Sequence, residues 1–137
     1  KKYRYLILNT PHRSALYRNR AYHVSHNLDV EEMQKAANVF LGKHDFSAFM
    51  ATGGSAKTTE RTITYVSVIR YGNTIEFEIA GDGFLYNMVR IIAGTLIEVG
   101  MGKIKFDDIP DIILSGNRKR AGKTVPAHGL YLVEVYY

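Results

Sequence analysis

A two-residue turn between two alternating segments constrains the fold of this chain most strongly. Residues 61–71 and 75–79 each alternate apolar and polar side chains, and only Gly72-Asn73 separates them. This pattern predicts an antiparallel β-hairpin, because a Gly-Asn pair readily adopts the backbone conformations of a tight hairpin turn. Strands are also predicted near the two ends of the chain, at 3–8 and at 130–135.

A first amphipathic helix is predicted before the hairpin. Asp29 is suited to cap its N-terminus, Glu32 completes a capping box three residues later, and Gly42 lies beyond its end. The apolar positions at helical spacing are Met33, Ala36, Ala37, Phe40 and Leu41. The polar stretch 46–59 then leads to the hairpin and is long enough to be a functional or mobile loop.

A second helix is predicted after the hairpin, over about 85–100. Its main apolar stripe includes Met88, while the opposite side carries further apolar residues together with Arg90. This pattern is typical of a helix that is covered on both faces and holds one charge between two layers. A buried arginine requires an anion, either a carboxylate or a phosphate. The alternative is a surface arginine that forms an ion pair with Glu98 or Glu134.

The resulting order of elements is βαββαβ, with a further short helix over 106–114 before the last strand. It predicts an α+β fold of the ferredoxin-like type, in which an antiparallel sheet carries its helices on one face. The length of 137 residues fits a single domain over 1–137, and the 46% of hydrophobic residues can fill a core. No apolar run reaches the roughly 18 residues that a membrane span requires. The absence of cysteine excludes a disulfide scaffold, a thiolate metal site and a cysteine nucleophile.

Positive charge is concentrated in two segments that contain no acidic residue. Residues 1–27 hold six lysines and arginines, and residues 115–133 hold four more. The first segment is irregular over 12–27 except for a short extended piece at 21–24. Such segregation favours an electropositive face that binds phosphate backbones, or else an ordinary solvated surface. Charge alone does not decide between the two.

Three other local patterns each have two interpretations. The glycines of Gly81-Asp82-Gly83 either let backbone N–H groups approach a phosphate or form a strand-to-helix turn with Asp82 as the cap. His44-Asp45 and His128 are compatible with acid–base chemistry, although exposed or structural histidines are commoner. The chain has five histidines but no cysteine and no H-E-x-x-H spacing, so no metal site is expected.

The first strand combines aromatic and basic side chains. Tyr3 and Tyr5 are predicted to point to one face of the sheet and Arg4 to the other. Aromatic rings beside basic residues suit stacking on an unpaired base. The plainer interpretation is that both are core tyrosines in an edge strand.

Several longer motifs, in this order along the whole chain, resemble one family. They are Tyr3-Arg4-Tyr5, the runs 41–49 and 61–63, the Phe-Leu-Tyr-Asn-Met-Val-Arg run at 84–90, and the runs 94–100 and 126–132. On these motifs the chain resembles the C-terminal half of the tRNA pseudouridine synthase A family, whose members isomerise uridine to pseudouridine in the tRNA anticodon stem-loop. The family's catalytic aspartate lies in a Gly-Arg-Thr-Asp-Ala-Gly-Val-His type segment of the N-terminal half. This sequence has no such segment, so the isolated chain is expected to be inactive.

The resemblance also implies roles for individual residues. Tyr3 is expected to stack on the flipped target uracil and to take part in proton transfer at C5, Arg90 to pair with the catalytic aspartate, and Leu130 to form an apolar wall of the uridine pocket. The residues expected to hold the tRNA backbone are Arg13, Arg18, Arg20, Arg118, Lys119 and Arg120. The reaction is expected to need no cofactor or metal. The expected partners are tRNA, the N-terminal half of the enzyme and a second copy in a homodimer, in the cytoplasm and without a membrane.

An alternative function is that of a ferredoxin-like RNA-binding module without catalysis. Such a module places stacking aromatics in a [KR]-G-[FY]-[GA]-F-V-x-[FY] run on a central strand. Residues 80–85 do not match this run, and Phe77 lies between Glu76 and Glu78, which repel phosphate. The resemblance therefore favours the synthase.

Overall fold

A computed structural model of the chain describes residues 1–135. The strands are β1 (Lys2–Asn9), β2 (Tyr22–Val24), β3 (Gly42–Asp45), β4 (Glu60–Tyr71), β5 (Thr74–Gly81) and β6 (Leu130–Glu134). The helices are α1 (Val30–Val39), α2 (Met88–Gly100) and α3 (Ile109–Ser115), and α3 continues a short 3-10 turn at Phe106–Asp108. The predicted hairpin, the two long helices and the extra helix before the last strand are confirmed.

The sheet has the order β2-β1-β5-β4-β3, and β6 also pairs with β1. Two strands share the outer edge of β1: β6 pairs antiparallel with Lys2–Tyr5, and β2 pairs parallel with Ile7–Asn9. Without the short strands β2 and β3, the order is β6-β1-β5-β4, all antiparallel. This order is consistent with the ferredoxin-like α+β fold that the sequence predicts. The sequence did not indicate β3 or the parallel pairing of β2.

The helices pack against one face of the sheet. The strands contribute Tyr5, Phe77 and Ile79 to the core on this face, and all three are fully buried. On the opposite face, Arg4 forms ion pairs with Glu76 and Glu78, at 3.2 and 2.7 Å. The predicted alternation of the tyrosines and Arg4 is therefore confirmed, but β1 is a central strand rather than an edge strand.

The predicted cap of α1 is confirmed, although its capping box is only half formed. The carboxylate of Asp29 accepts a hydrogen bond from the Glu32 N–H at 3.2 Å. The Asp29 N–H donates instead to the carbonyl of Gly100 at 3.0 Å, which links the start of α1 to the end of α2. Leu41, predicted on the apolar face, is 40% exposed because the helix ends before it.

Helix α2 begins three residues later than predicted. Asn87 has a φ of 59° in the left-handed region, which interrupts a right-handed helix. From Met88 to Gly100 the helix is buried almost throughout, as expected for a helix covered on two faces. The second cover is the segment 121–126, which lies so close that a Cβ on Gly94 would be 1.9 Å from the carbonyl oxygen of Lys123.

The stretch 46–59 is only partly the polar loop that its composition predicts. Its first residues enter the core, where Phe46 and Phe49 are fully buried and pack against Phe40. Asp45 connects the two ends of this stretch, because its carboxylate accepts hydrogen bonds from the Thr59 hydroxyl at 2.7 Å and from the Ser47 N–H at 3.0 Å.

Candidate functional site

A pocket of about 220 Å³ lies between the start of α2 and the strands β1 and β6. Three of the residues that line it are Tyr3, Arg90 and Leu130, which are far apart in the sequence. The remaining lining is the run Phe84, Leu85, Tyr86, Asn87, Met88 and Val89. The fold therefore brings together the three residues for which the resemblance implies roles at the uridine.

Tyr3 forms the strand side of the pocket. Its position in β1 is fixed by pairing with Ile79 on one side and Leu132 on the other. Its ring is half-buried and meets the ring of Phe84 edge to face, with a centroid distance of 5.2 Å. An aromatic ring held in this way loses little freedom when a flat ligand stacks on it.

Arg90 forms the helix side of the pocket, and its guanidinium is held at two points. Nε donates to the carbonyl oxygen of Val125 at 2.8 Å, and Nη1 donates to Oδ1 of Asn87 at 3.0 Å. Within residues 1–135, Nη2 has no hydrogen bond and no ion pair involves Arg90. The alternative ion pair with Glu98 or Glu134 is therefore wrong for this structure. A half-buried guanidinium with unused donors is a ready partner for a carboxylate.

Leu130 begins β6 opposite Tyr5, directly after a tight turn at Ala127–Gly129. Only glycine fits at position 129, because an added Cβ would lie 2.8 Å from Cζ of Tyr5. The Tyr5 hydroxyl donates to the carbonyl of Pro126 at 2.6 Å, which holds the segment before the turn. Burial raises the pKa of the Tyr5 phenol, Tyr22 adds to this effect and the Arg90 guanidinium opposes it. The phenol therefore stays protonated and keeps its donor.

Two residues support the pocket in ways that the sequence analysis did not predict. Asn87 accepts from Arg90 while adopting a left-handed conformation, and Tyr5 holds the segment that leads to Leu130. The sequence does carry a signal for the first. Asparagine is among the few non-glycine residues that tolerate a positive φ, and it directly precedes a strongly apolar helix.

Comparison with known proteins decides the family. A family model described as tRNA pseudouridine synthase matches residues 36–137. Proteins named tRNA pseudouridine synthase A match over the whole chain: that of Acetivibrio thermocellus is 68% identical over 137 residues, and that of Ruminiclostridium cellulolyticum is 59% identical over 138 residues. The one from Geotalea uraniireducens is 50% identical over 137 residues. The chain belongs to the tRNA pseudouridine synthase family.

The chain spans about half the length of these synthases. It is covered completely in all three alignments, which include 56% of each relative. The resemblance carried by the sequence motifs is thus confirmed, and the remaining part of each relative has no counterpart here.

Of the six basic residues that the resemblance assigns to the tRNA backbone, Arg13 and Arg18 line a second, larger cavity. Arg20, Lys119 and Arg120 are exposed. Arg118 is committed to its own loop, because its guanidinium donates to the carbonyl of Gly122 at 2.7 Å and to the hydroxyl of Thr124 at 3.1 Å.

The other local patterns have structural explanations. His44 and Asp45 do not form an acid–base pair, since Nε2 of His44 lies 2.8 Å from the carbonyl of Leu41. Asp82 does not cap α2: it accepts from the N–H of Thr62 at 2.9 Å. Over residues 1–135, no three His, Cys, Asp or Glu side chains are placed to hold a metal ion. No helix in the same range has the length and apolar character that a membrane crossing requires.

Proposed function

We propose that this chain is the C-terminal part of a tRNA pseudouridine synthase that isomerises uridine to pseudouridine in the tRNA anticodon stem-loop. Tyr3, Arg90 and Leu130 form one side of a composite active site. The catalytic aspartate belongs to the N-terminal half of the enzyme, and the chain alone is inactive. The complete enzyme acts in the cytoplasm as a homodimer.

The observation that carries this proposal is the environment of the Arg90 guanidinium. It is half-buried, oriented by Val125 and Asn87, and has no carboxylate partner within residues 1–135. Keeping a cation partly out of water costs free energy unless an anion compensates it. An aspartate from the other half of the enzyme supplies that anion, and the guanidinium keeps this aspartate ionised and aimed at the pocket.

The pocket residues then have distinct parts in the isomerisation. The target uridine leaves the RNA stack and enters the pocket, where Tyr3 stacks on the uracil and Leu130 covers its apolar side. The aspartate drives cleavage of the N1–C1′ bond, the uracil rotates, and C5 bonds to C1′. The C5 hydrogen leaves as a proton and N1 gains one, so no cofactor is consumed. Tyr3 takes part in the proton transfer at C5.

The test of this proposal uses a completed enzyme: a chimera that joins this chain to the part of the Acetivibrio thermocellus synthase that has no counterpart here. Pseudouridine in tRNA treated with the chimera is mapped by carbodiimide modification and primer extension. We expect new stops confined to the anticodon stem-loop. Stops elsewhere in the tRNA overturn the assignment of the stem-loop. If no stops appear while the RNA still binds, the alternative of a non-catalytic RNA-binding module gains support.

A further inference from the structure

A second concavity is larger than the pocket at Tyr3. It is a cavity of about 470 Å³ at the outer edge of β1, near the first residues of both β6 and β2. Leu6 is the only residue between the two pairings on this edge. We call this concavity the edge cavity. It is lined by Leu8, Arg13, Ser14, Ala15, Tyr17, Arg18, Ala21, Tyr22, His23, Pro126 and His128 and shares no residue with the pocket at Tyr3.

The edge cavity forms where the two segments without acidic residues meet. Arg13 and Arg18 come from the first segment and His128 from the second. Two further contacts join the segments: Nζ of Lys123 lies 5.4 Å from the centre of the Tyr22 ring, and the Tyr131 hydroxyl donates to the carbonyl of Arg20 at 2.6 Å. The fold therefore concentrates positive charge that is separate in the sequence.

No carboxylate lines the edge cavity. Within residues 1–135, the guanidinium groups of Arg13 and Arg18 have neither a hydrogen bond nor an ion pair. Arg118, by contrast, donates two hydrogen bonds within its own loop. Two unpaired guanidiniums beside one cavity are suited to a phosphate group, which they bind with directed, charge-assisted hydrogen bonds.

The rest of the lining suits a flat, partly apolar group. Tyr17 and Tyr22 supply aromatic rings, and Leu8, Ala15 and Ala21 supply apolar surface. Proteins recognise single-stranded RNA by stacking bases on aromatic rings and holding phosphates with arginines. The volume of the edge cavity lies within the range of small-ligand sites, roughly 300–1,000 Å³.

We propose that the edge cavity binds one nucleotide of an RNA strand, with its phosphate on Arg13 and Arg18 and its base against the tyrosine rings. The choice of RNA as the polymer rests on the proposed function. Leu8 in the edge cavity and Tyr3 in the first pocket are five residues apart on β1, which is about 16 Å of strand. The bound nucleotide is therefore a different nucleotide from the target uridine.

The test measures binding of a labelled anticodon stem-loop RNA to this chain by fluorescence anisotropy at several salt concentrations. The double variant Arg13→Gln/Arg18→Gln removes the phosphate contacts. Lys43→Gln/Lys57→Gln is the matched control, because it removes the same charge from two exposed residues outside the edge cavity. Ala15→Trp fills the edge cavity while keeping every charge. Circular dichroism verifies that each variant is folded.

We expect the arginine variant to bind about tenfold more weakly than the control and to reduce the dependence of log K on log salt by about 2. Ala15→Trp is expected to weaken binding without changing the net charge. Equal affinities for the arginine variant and the control, or an unchanged affinity for Ala15→Trp, overturn the proposal. If either the arginine variant or Ala15→Trp is unfolded, the RNA affinity of the other variant tests the proposal.

A second arm separates an RNA strand from a free nucleotide. Uridine 5′-monophosphate is added in place of RNA, and the amide NMR signals of Tyr17 and Tyr22 are followed. We expect these signals to respond to the RNA at far lower concentrations than to the mononucleotide. Saturation by the mononucleotide with no response to RNA identifies a free-nucleotide site and overturns the assignment to RNA. Because the assay involves no catalysis, an inactive chimera that still binds RNA through the edge cavity contradicts the proposed function alone.

Discussion

Arg90 and Val125 are joined by two hydrogen bonds that run in opposite directions. The Val125 N–H donates to the carbonyl of Arg90 at 3.4 Å, and Nε of Arg90 donates to the carbonyl of Val125 at 2.8 Å. The segment that covers the second face of α2 is thus attached to Arg90, which lines the pocket. Because Leu130 follows this segment, the position of the charge and that of the apolar wall are coupled.

The first prediction concerns Arg90 itself. In the completed chimera, Arg90→Lys is expected to lower the rate of pseudouridine formation by on the order of 100-fold, because an ammonium cannot bond Val125, Asn87 and a carboxylate in one plane. RNA affinity is expected to change less than about twofold. Single-turnover kinetics and anisotropy measure the two quantities. Arg61→Lys, which lies outside the pocket lining, is the control. Equal losses of affinity and rate would show that Arg90 binds RNA instead.

The second prediction separates the two features of Asn87. Asn87→Gly keeps the left-handed backbone accessible but removes the acceptor for Arg90, whereas Asn87→Ala also strains the backbone by about 1–2 kcal/mol. Both variants are expected to lower turnover equally, while only Asn87→Ala lowers the free energy of unfolding by more than about 1 kcal/mol. Urea denaturation and turnover test this. Full activity of Asn87→Gly contradicts a positioning role for the amide.

The third prediction concerns the contact between Gly94 and Lys123. Gly94→Ala raises helix propensity by about 1 kcal/mol, but its Cβ would lie 1.9 Å from a backbone oxygen that cannot rotate away. Overpacking typically costs about 1–3 kcal/mol, and we expect a net loss of stability at the upper end of this range. In Gly83→Ala, the control, the nearest atom is Nε of Arg61 at 3.3 Å, on a side chain that can move. Equal free energies of unfolding for Gly94→Ala and Gly83→Ala would show that segment 121–126 moves away to accommodate the added methyl group.

The fourth prediction distinguishes two neighbouring basic residues. Arg118→Ala is expected to lower the free energy of unfolding by about 1–2 kcal/mol, because it removes the hydrogen bonds to Gly122 and Thr124. Lys119→Ala is expected to change the free energy of unfolding by less than about 0.5 kcal/mol. It is also expected to reduce the slope of log K for RNA binding against log salt concentration by about 1. Denaturation curves and salt-dependent anisotropy measure both effects. A stability-neutral Arg118→Ala that weakens RNA binding contradicts the structural role.

The fifth prediction concerns pH and Asp45. The hydrogen bond from the Thr59 hydroxyl, and to a smaller extent that from the Ser47 N–H, lowers the pKa of Asp45 below its ordinary value. The folded state therefore favours the ionised carboxyl, and its stabilising effect is complete above the unfolded pKa and disappears as pH falls through the folded pKa. Thr59→Val is expected to raise the pKa of Asp45 and to destabilise the chain at neutral pH more than in acid. Carboxyl-carbon NMR titration and urea curves provide the test. A destabilisation independent of pH contradicts this link.

The sequence predicts those elements whose signals are local. Asp29 as a cap and Gly72-Asn73 as a hairpin turn depend on a few neighbouring residues, and both are confirmed. Strand β3 was not predicted because the pattern of Gly42–Asp45 does not alternate and the strand is defined by its pairing with β4. The sequence predicts too early a start for α2 because the apolar periodicity already includes Leu85. The left-handed backbone at Asn87 interrupts the helix, so α2 begins only at Met88.

The pocket shows the same division between local and long-range information. The apolar residues on both sides of α2 predicted that Arg90 is covered, but not that the cover is segment 121–126. That segment is about 30 residues further along the chain, and its approach depends on Gly94 and Gly122 lacking side chains. Arg13 and Arg18 were expected to contact RNA, yet nothing local indicated that His128 would meet them in one cavity.

The most direct test of the composite active site is the release of tritium from C5-labelled uridine in an anticodon stem-loop transcript. The assay compares this chain alone, the completed chimera, and the chimera with Arg90→Ala. We expect release by the chimera only, because the chain supplies Tyr3, Arg90 and Leu130 while the aspartate comes from the other half. Release by the chain alone would show that its own carboxylates suffice and would contradict the composite site.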